Sequence, residues 1–307
     1  MGSDPRALLQ QAEQALRGAS SGWSIFGDRS EKYENAVKLF ENAGNAFRLQ
    51  KLYKEAGQAF ERAAQVQVTK LKEPDASILV LQEAFKAYRK GHPEDAARVQ
   101  ASLTERMMLN GAYSRAAMQQ KDLAQMWEDV DSQKYEKDAP ACALEASEHA
   151  LAAHEKAAEL FDENNSPMLA HKHYIKVAEL SALKGNYNKA SDILMKQVDV
   201  HIKNEPLKPS MPKFFLGAAI CQVATFDPVT AYNQIQQYQT RDKDLKSIYS
   251  KPDIWPILQM MVESVENKRE EDFIQQVKYL QQRISLDDWH LQVLEKVVHK
   301  LQEDEFS

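Results

Sequence analysis

Eight histidines and 45 aspartates and glutamates are the residues of this chain best suited to chemistry, as metal ligands or as general acids and bases. Their spacing assembles neither. His149 and His154 are five apart and turn away from a shared helix face, and His171 and His173 are two apart, also a poor ligand spacing on a helix. There is no H-E-x-x-H, no phosphate-cradling G-x-x-x-x-G-K-[ST], no G-x-G-x-x-G and no G-x-S-x-G. Cys142 and Cys221 are far apart without C-x-x-C spacing, so neither a zinc knuckle nor a disulfide framework is expected, which suits a reducing compartment. The carboxylates fall on helix faces three and four residues from Lys and Arg. The expectation is a protein that catalyses nothing and carries no metal or cofactor.

Binding chemistry is better represented. Lys172 and Lys176 are four apart and share one helix face, while Tyr174, Ile175 and Ala178 lie elsewhere on the helix. Lys184, Lys189, Lys208 and Lys213 follow nearby. Two readings stand: a basic stripe suited to an elongated acidic partner, or the solvated face of a Lys-rich chain. A second feature is the loop Gly22-Trp23-Ser24-Ile25-Phe26-Gly27, where Trp23, Ile25 and Phe26 are free to project. Burying such side chains is worth about 1.5–3 kcal/mol each, enough for weak membrane contact beside a second anchor. The other reading is an apolar plug packed on the first helix pair. Thirdly, Leu291, Leu294, Val298 and Leu301 make an apolar stripe that runs into Glu303-Asp304-Glu305-Phe306-Ser307, either a docking tip or a frayed tail.

The elements that must position these residues are helices. Tyr33, Ala36, Phe40 and Ala43 repeat twenty residues later as Tyr53, Ala56, Phe60 and Ala63, the mark of a helical repeat. A small Ala lets a neighbouring helix approach, and the Tyr fills the gap beside it. The turn-then-Tyr-x2-Ala entry returns at Tyr113 with Ala116 and at Tyr187 with Ala190, so the stack continues at least to residue 190. Asp4 is placed to cap the first helix, over 4–17, with Pro5 at its first position. Helices are expected at 31–48, 52–70, 74–90, 93–109, 112–130, 141–163, 167–184 and 187–203, with a polar connector over 131–140. Pro206, Pro209 and Pro212 exclude a regular helix over 204–212. Beyond it, 213–225, 228–240, 252–266, 269–283 and 287–303 read as a compact helical end that caps the stack.

The fold class is therefore all-α: a right-handed TPR-like solenoid over 1–205, with an apolar loop at 20–30, and a C-terminal helical bundle with an acidic tip over 206–307. The net charge of −6 makes bulk attraction to nucleic acid a poor expectation. No basic segment precedes an apolar stretch at the start, and no apolar run reaches the roughly 20 residues that span a bilayer. Soluble and cytosolic is the resulting expectation.

Taken together these pieces resemble the soluble NSF attachment proteins (SNAPs), of the alpha type. The matching residues are the Trp23–Gly27 loop, Ala43-Gly44-Asn45-Ala46-Phe47, Tyr53-x2-Ala-Gly57-x-Ala-Phe60-x2-Ala-Ala64, Lys172-x3-Lys176-Val-Ala, Phe214-Phe215-x3-Ala219-x-Cys221 and Ile284-Ser-Leu-Asp-Asp-Trp289. Their order spans nearly the whole chain. The resemblance implies an adaptor that coats a SNARE four-helix bundle and presents its C-terminal end to NSF, the hexameric ATPase that dismantles the bundle during vesicle fusion and transport. It implies SNARE contact by Lys172 and Lys176, with Lys251, Lys208 and Lys213 further along. It places Glu263, Glu266, Glu270, Glu271 and Asp272 at the NSF-facing end, joined by Asp304, Glu305 and Phe306. It also implies a cytoplasmic protein held peripherally on membranes through Trp23, Ile25 and Phe26.

The chain departs from the alpha-type pattern at three places. Ala112 and Met118 stand where basic residues are usual, with Arg115 nearby; Phe306 stands where Leu is usual; and 206–212 is richer in proline. The chief alternative is a generic TPR-type scaffold or co-chaperone binding a short peptide, which would need neither the apolar loop nor the acidic tip. An α-helical enzyme subunit is the third reading.

Overall fold

The computed structural model describes residues 4–21, 29–133, 140–203, 210–244 and 254–305, with the backbone alone for 21, 131–133, 140–144, 243–244 and 304–305. Among the described residues there are fourteen α-helices and no strand. They divide into two compact units, Met1–Ser166 and Pro167–Ser307. The first holds α1 (Pro5–Ser21), α2 (Arg29–Leu49), α3 (Tyr53–Val66), α4 (Pro74–Tyr88), α5 (Pro93–Leu109), α6 (Tyr113–Gln133) and α7 (Pro140–Glu163). A π-helical turn, Gln67–Leu71, prolongs α3. Each helix packs on its successor, so the unit is a stack of hairpins, the arrangement of a helical solenoid.

One turn motif builds most of the hairpins. After α2, Lys51 takes a left-handed φ of 60°. Its N–H donates to the Arg48 carbonyl, and the Leu52 N–H reaches back to Phe47. The same pair of bonds recurs at Gly111–Ala112, Asn165–Ser166, Gly185–Asn186 and Lys268–Arg269. These are Schellman closures, which satisfy the last carbonyls of each helix and reverse the chain within a few residues. The repeated alanines then do what their size suggests: Ala36, Ala56, Ala63, Ala116 and Ala190 are all fully buried. Gly57 sits closer still, since a Cβ there would lie 2.4 Å from the Tyr88 ring.

Ion pairs stitch alternate helices along the stack. Glu13 of α1 meets Arg62 of α3 at 3.0 Å, Arg48 of α2 meets Glu83 of α4 at 2.5 Å, and Glu61 of α3 meets Arg98 of α5 at 2.6 Å. All three are partly exposed, so each adds roughly 0–1 kcal/mol. Their regularity reports that alternate helices lie side by side.

The second unit comprises α8 (Pro167–Leu183), α9 (Tyr187–Ile202), α10 (Met211–Val223), α11 (Pro228–Asp244), α12 (Ile254–Glu266), α13 (Glu270–Arg283) and α14 (Asp288–Glu305). Here α10 is buried nearly all round, through Phe214, Phe215, Leu216, Ile220 and Cys221, and forms the centre of the core. Burial pushes the Cys221 thiol up to about 12, so it is an inert core residue. The last helix folds back on α8 and α10, closing the unit as a bundle. Lys296 of α14 donates to the Leu183 carbonyl at the C-terminal end of α8.

Several element boundaries differ from those read in the sequence. Asp4 does cap α1, accepting the Arg6 N–H at 3.1 Å, but the helix runs on to Ser21 because Ala19 is buried at its end. The 131–140 connector begins later than expected, since α6 continues to Gln133. Pro212 lies inside α10 rather than before it, in the first turn where a missing N–H costs nothing. The stripe of α14 is also shifted. Val293, Leu294, Val297 and Leu301 face the core, while Leu291 and Val298 line an open groove of about 380 Å³ against Ile274 and Val277 of α13.

A basic helix face and an acidic end

Helix α8 sorts its residues by depth. Ala170, His171, His173, Val177, Ala178 and Ala182 are buried. Met168, Lys172 and Lys176, spaced i, i+4, i+8, form the opposite stripe; Lys172 is exposed and Lys176 half-buried. The structure thus places both lysines on one accessible face. It also sets Glu179 at 3.5 Å from Lys176, which offsets part of that charge and leaves Lys172 dominant. Met168, 56% exposed, was missed in the sequence, where an apolar residue in a first helical turn reads as core.

The stripe is fixed from beneath by two buried histidines. The His171 ring lies 4.2 Å from that of His201 on α9, and both meet Phe214 of α10 edge-on at 5.3 and 4.9 Å. His201 donates through Nδ1 to the Gln197 carbonyl at 2.7 Å, which leaves its Nε2 buried and unpartnered among the described residues. Burial, with His171 adding to it, holds His201 down to about 4. His171, 3.1 Å from the Gln197 side-chain oxygen, is lowered too, by burial and by neighbouring Lys172. Both imidazoles are neutral near pH 7, so neither adds charge beneath the lysines. They are packing residues that join α8, α9 and α10. No group of three or more His, Cys, Asp and Glu able to hold a metal occurs among the described residues.

Lys213 is exposed in the first turn of α10 and close enough to His290 of α14 to oppose its protonation. His290 accepts the Asp287 N–H on Nδ1 at 3.1 Å, the return half of a capping box at the start of α14. Burial holds it down to about 4, with Lys213 adding and Asp287 opposing.

The acidic residues converge. Glu263 and Glu266 are exposed near the end of α12, and Glu270, Glu271 and Asp272 fill the first turn of α13, one short turn away. Negative charge stabilises a helix N-terminus, so the α13 acids have a local role. Glu263 and Glu266 are at the wrong end of α12 for that, and no basic residue occupies its last turn. Gln302 of α14 donates to Glu270 at 2.7 Å, bringing the C-terminal end of the chain to the same turn. Lys268 and Arg269 lie between the two acidic groups, and Arg269 pairs with Asp272 at 3.0 Å, offsetting part of that charge.

Of the remaining site residues, Trp23, Ile25, Phe26, Lys208, Lys251 and Phe306 lie outside the described residues, and Asp304 and Glu305 are described as backbone at the end of α14. Ala112 closes the α5–α6 turn, Met118 is 45% exposed on α6, and Arg115 is exposed one turn earlier. No described helix is long and apolar enough to cross a membrane.

The family model described as soluble NSF attachment protein matches residues 3–302. A probable vesicular-fusion protein sec17 homolog of Neurospora crassa is 33% identical, with both chains covered in full. A protein of the same description from Schizosaccharomyces pombe is 30% identical over 99% of this chain and 98% of its own. The alpha-soluble NSF attachment protein of Homo sapiens is 27% identical over 99% of this chain and 96% of its own.

Proposed function

Because the chain belongs to the soluble NSF attachment protein family, we propose that it holds a SNARE bundle on the outer stripe of α8 and offers the α12–α13 turn to NSF. As a family member it is a non-enzymatic adaptor of vesicle fusion and transport, acting with SNAREs and NSF. The peptide-binding scaffold is not favoured by that membership.

The observation that carries the SNARE side is the Met168–Lys172–Lys176 stripe, with Met168 and Lys172 exposed and Lys176 half-buried, on a helix whose buried His171 is held below its ordinary pKa. A lysine stripe steers an acidic rod and fixes its register, and the exposed methionine adds adaptable apolar contact. Lys213 of α10, exposed, is a further proposed SNARE contact, as are Lys208 and Lys251, which lie outside the described residues. The NSF side is supported by Glu263 and Glu266, whose position at the end of α12 opposes the helix dipole and so has no helix-stabilising purpose. Glu270, Glu271, Asp304, Glu305 and Phe306 complete that surface.

The sequence divides the chain into a TPR-like solenoid over 1–205 and a C-terminal bundle with an acidic tip over 206–307, whereas packing groups the helices at Ser166–Pro167. The SNARE contacts draw on both sequence segments and the NSF contacts on the second. Trp23, Ile25 and Phe26 touch the bilayer weakly, keeping a cytoplasmic adaptor peripheral on membranes where a bound SNARE supplies the second attachment.

The test is disassembly of a purified SNARE bundle by NSF and ATP, with and without the protein. Disassembly that requires it is the expected result. A protein retained on the bundle that leaves it intact refutes the NSF surface, and failure to be retained refutes the α8 stripe.

A further inference from the structure

We infer that the open groove between α13 and α14 is a docking site for the apolar face of a basic amphipathic helix carried by a partner protein. The groove lies beside the proposed NSF surface, but its use depends on neither SNAREs nor NSF.

The two helices lie antiparallel, with the Gln302–Glu270 bond holding the end of α14 to the start of α13. From α13, Phe273 and Leu280, one above the other on the helix, are buried in the core. A second row on α13, Ile274 and Val277, lines a groove of about 380 Å³ together with Leu291 and Val298 of α14. All four are half-buried. Val277 and Val298 also pack against the core and floor the groove. The last helices of a stack have no successor to cover them, so their outer face is expected to be polar. Here two apolar rows at helical spacing stay open instead. A third helix fits such a pair of rows, its own apolar residues at i, i+3 or i+4 and i+7 entering between them.

Charge selects which helix. Lys278 of α13 and Glu295 of α14 both line the groove and are exposed, and neither has an ion-pair partner among the described residues. The neighbouring lysines of α14 are engaged elsewhere: Lys296 donates to the Leu183 carbonyl, and Lys300 lies 3.8 Å over the Phe226 ring. On α13, Glu271 precedes Lys278 by seven residues and so shares its face, and Glu270 stands beside the end of α14, where Glu303 is exposed. Carboxylates therefore outnumber the single lysine along the groove and gather at one end of it. A helix with bases beside Glu295 and towards that acidic end complements this pattern, with an acid opposite Lys278.

The experiment is fluorescence anisotropy of the full chain with a labelled synthetic peptide of about 15 residues, long enough to form a helix. The peptide carries Leu at i, i+3, i+4 and i+7 and Lys on its other faces. It is expected to bind about tenfold more tightly than a peptide of the same composition whose Leu residues are out of helical period. Ile274→Ser with Leu291→Ser should weaken binding about tenfold or more. Glu295→Lys should weaken it about twofold to fivefold, and Lys278→Glu should strengthen it by a similar factor. Circular dichroism checks the folding of each variant, and the two charge variants, being on the surface, test the groove even where the apolar pair does not fold. Equal binding of the scrambled peptide, or no response to the charge variants, overturns the inference. Loss of binding in Glu263→Lys with Glu266→Lys while the groove variants bind normally also overturns it, by placing the peptide on the α12–α13 turn. So does a dimer of the protein alone, seen by sedimentation, that Ile274→Ser with Leu291→Ser abolishes, since a second copy would then fill the groove.

Discussion

Gln302 donates a 2.7 Å hydrogen bond to Glu270 across 32 residues of sequence. The bond ties the end of α14, which carries Glu303, to the start of α13, which carries Glu270, Glu271 and Asp272. Deleting Glu303–Ser307 is expected to spare SNARE binding and impair NSF stimulation, and Gln302→Leu is expected to impair it in part by loosening that end. Steady-state NSF ATPase rates with a fixed amount of SNARE bundle measure both. Unchanged rates in the deletion would show the end to be a solubilising tail.

Glu263→Lys with Glu266→Lys should cut NSF stimulation by tenfold or so, roughly 1.4 kcal/mol of coupling. The thermal midpoint should hold or rise, because basic residues near the end of α12 favour its dipole. Loss of activity together with a lower midpoint would count against a direct contact.

Lys172→Glu with Lys176→Glu should abolish retention on the SNARE bundle with helicity intact. Wild-type retention should also weaken as salt rises. Because Glu179 already offsets Lys176 at 3.5 Å, Lys172→Glu alone is expected to cost more than Lys176→Glu alone. Affinities of the two single variants, measured at two ionic strengths, decide the order.

Gly57→Ala is expected to destabilise the first unit by about 1–3 kcal/mol. The new Cβ would lie 2.4 Å from the Tyr88 ring. That ring cannot easily yield, because its hydroxyl donates to Glu61 at 2.6 Å. Chemical denaturation followed by circular dichroism reads the shift.

Stability should depend on pH through His201 and His290. Both are held at about 4 in the folded chain, against 6.5 as the ordinary value. The unfolded chain therefore binds more protons between those limits, and stability falls as pH drops from about 6.5 towards 4. Above that window their contribution is constant. A loss on the order of 1 kcal/mol or more per histidine is expected. His290→Gln keeps an acceptor for the Asp287 N–H while removing the titration, so its denaturation midpoint should fall less between pH 7 and pH 5.

Much of the fold was legible because its rules are local. The spacing of Ala36, Ala43, Ala56, Ala63, Ala116 and Ala190 marked positions that are buried in the structure, since helix packing admits only a small side chain there. The turns before Tyr113 and Tyr187 were legible for the same reason, whereas the left-handed Lys51, Asn165 and Lys268 were not. The start of α10 was less so, because Pro212 reads as a breaker yet is harmless in a first turn. Half of the α14 stripe was legible, Leu294 and Leu301, while Leu291 and the half-buried Val298 fit the helical period as well as the buried Val293 and Val297 do.

The site divided in the same way. Lys172 and Lys176 share a face by helix arithmetic alone, but Glu179 as a counter-charge and Met168 as an exposed neighbour depend on where α8 turns its inner side. The His171–His201–Phe214 cluster joins three helices, and no spacing within one helix announces it.

By itself, then, the sequence determined the helices, their hairpin order, the family and the basic pair on α8, because periodicity, turn chemistry and residue order act over short stretches of chain. Tertiary structure alone decided that two acidic segments meet through Gln302 and Glu270, and that His171, His201 and His290 are held neutral. It decided too that Leu291 and Val298 are left to line a groove. The reason is physical: desolvation and contact between distant segments depend on which surfaces the folded chain removes from water, and no local pattern encodes that.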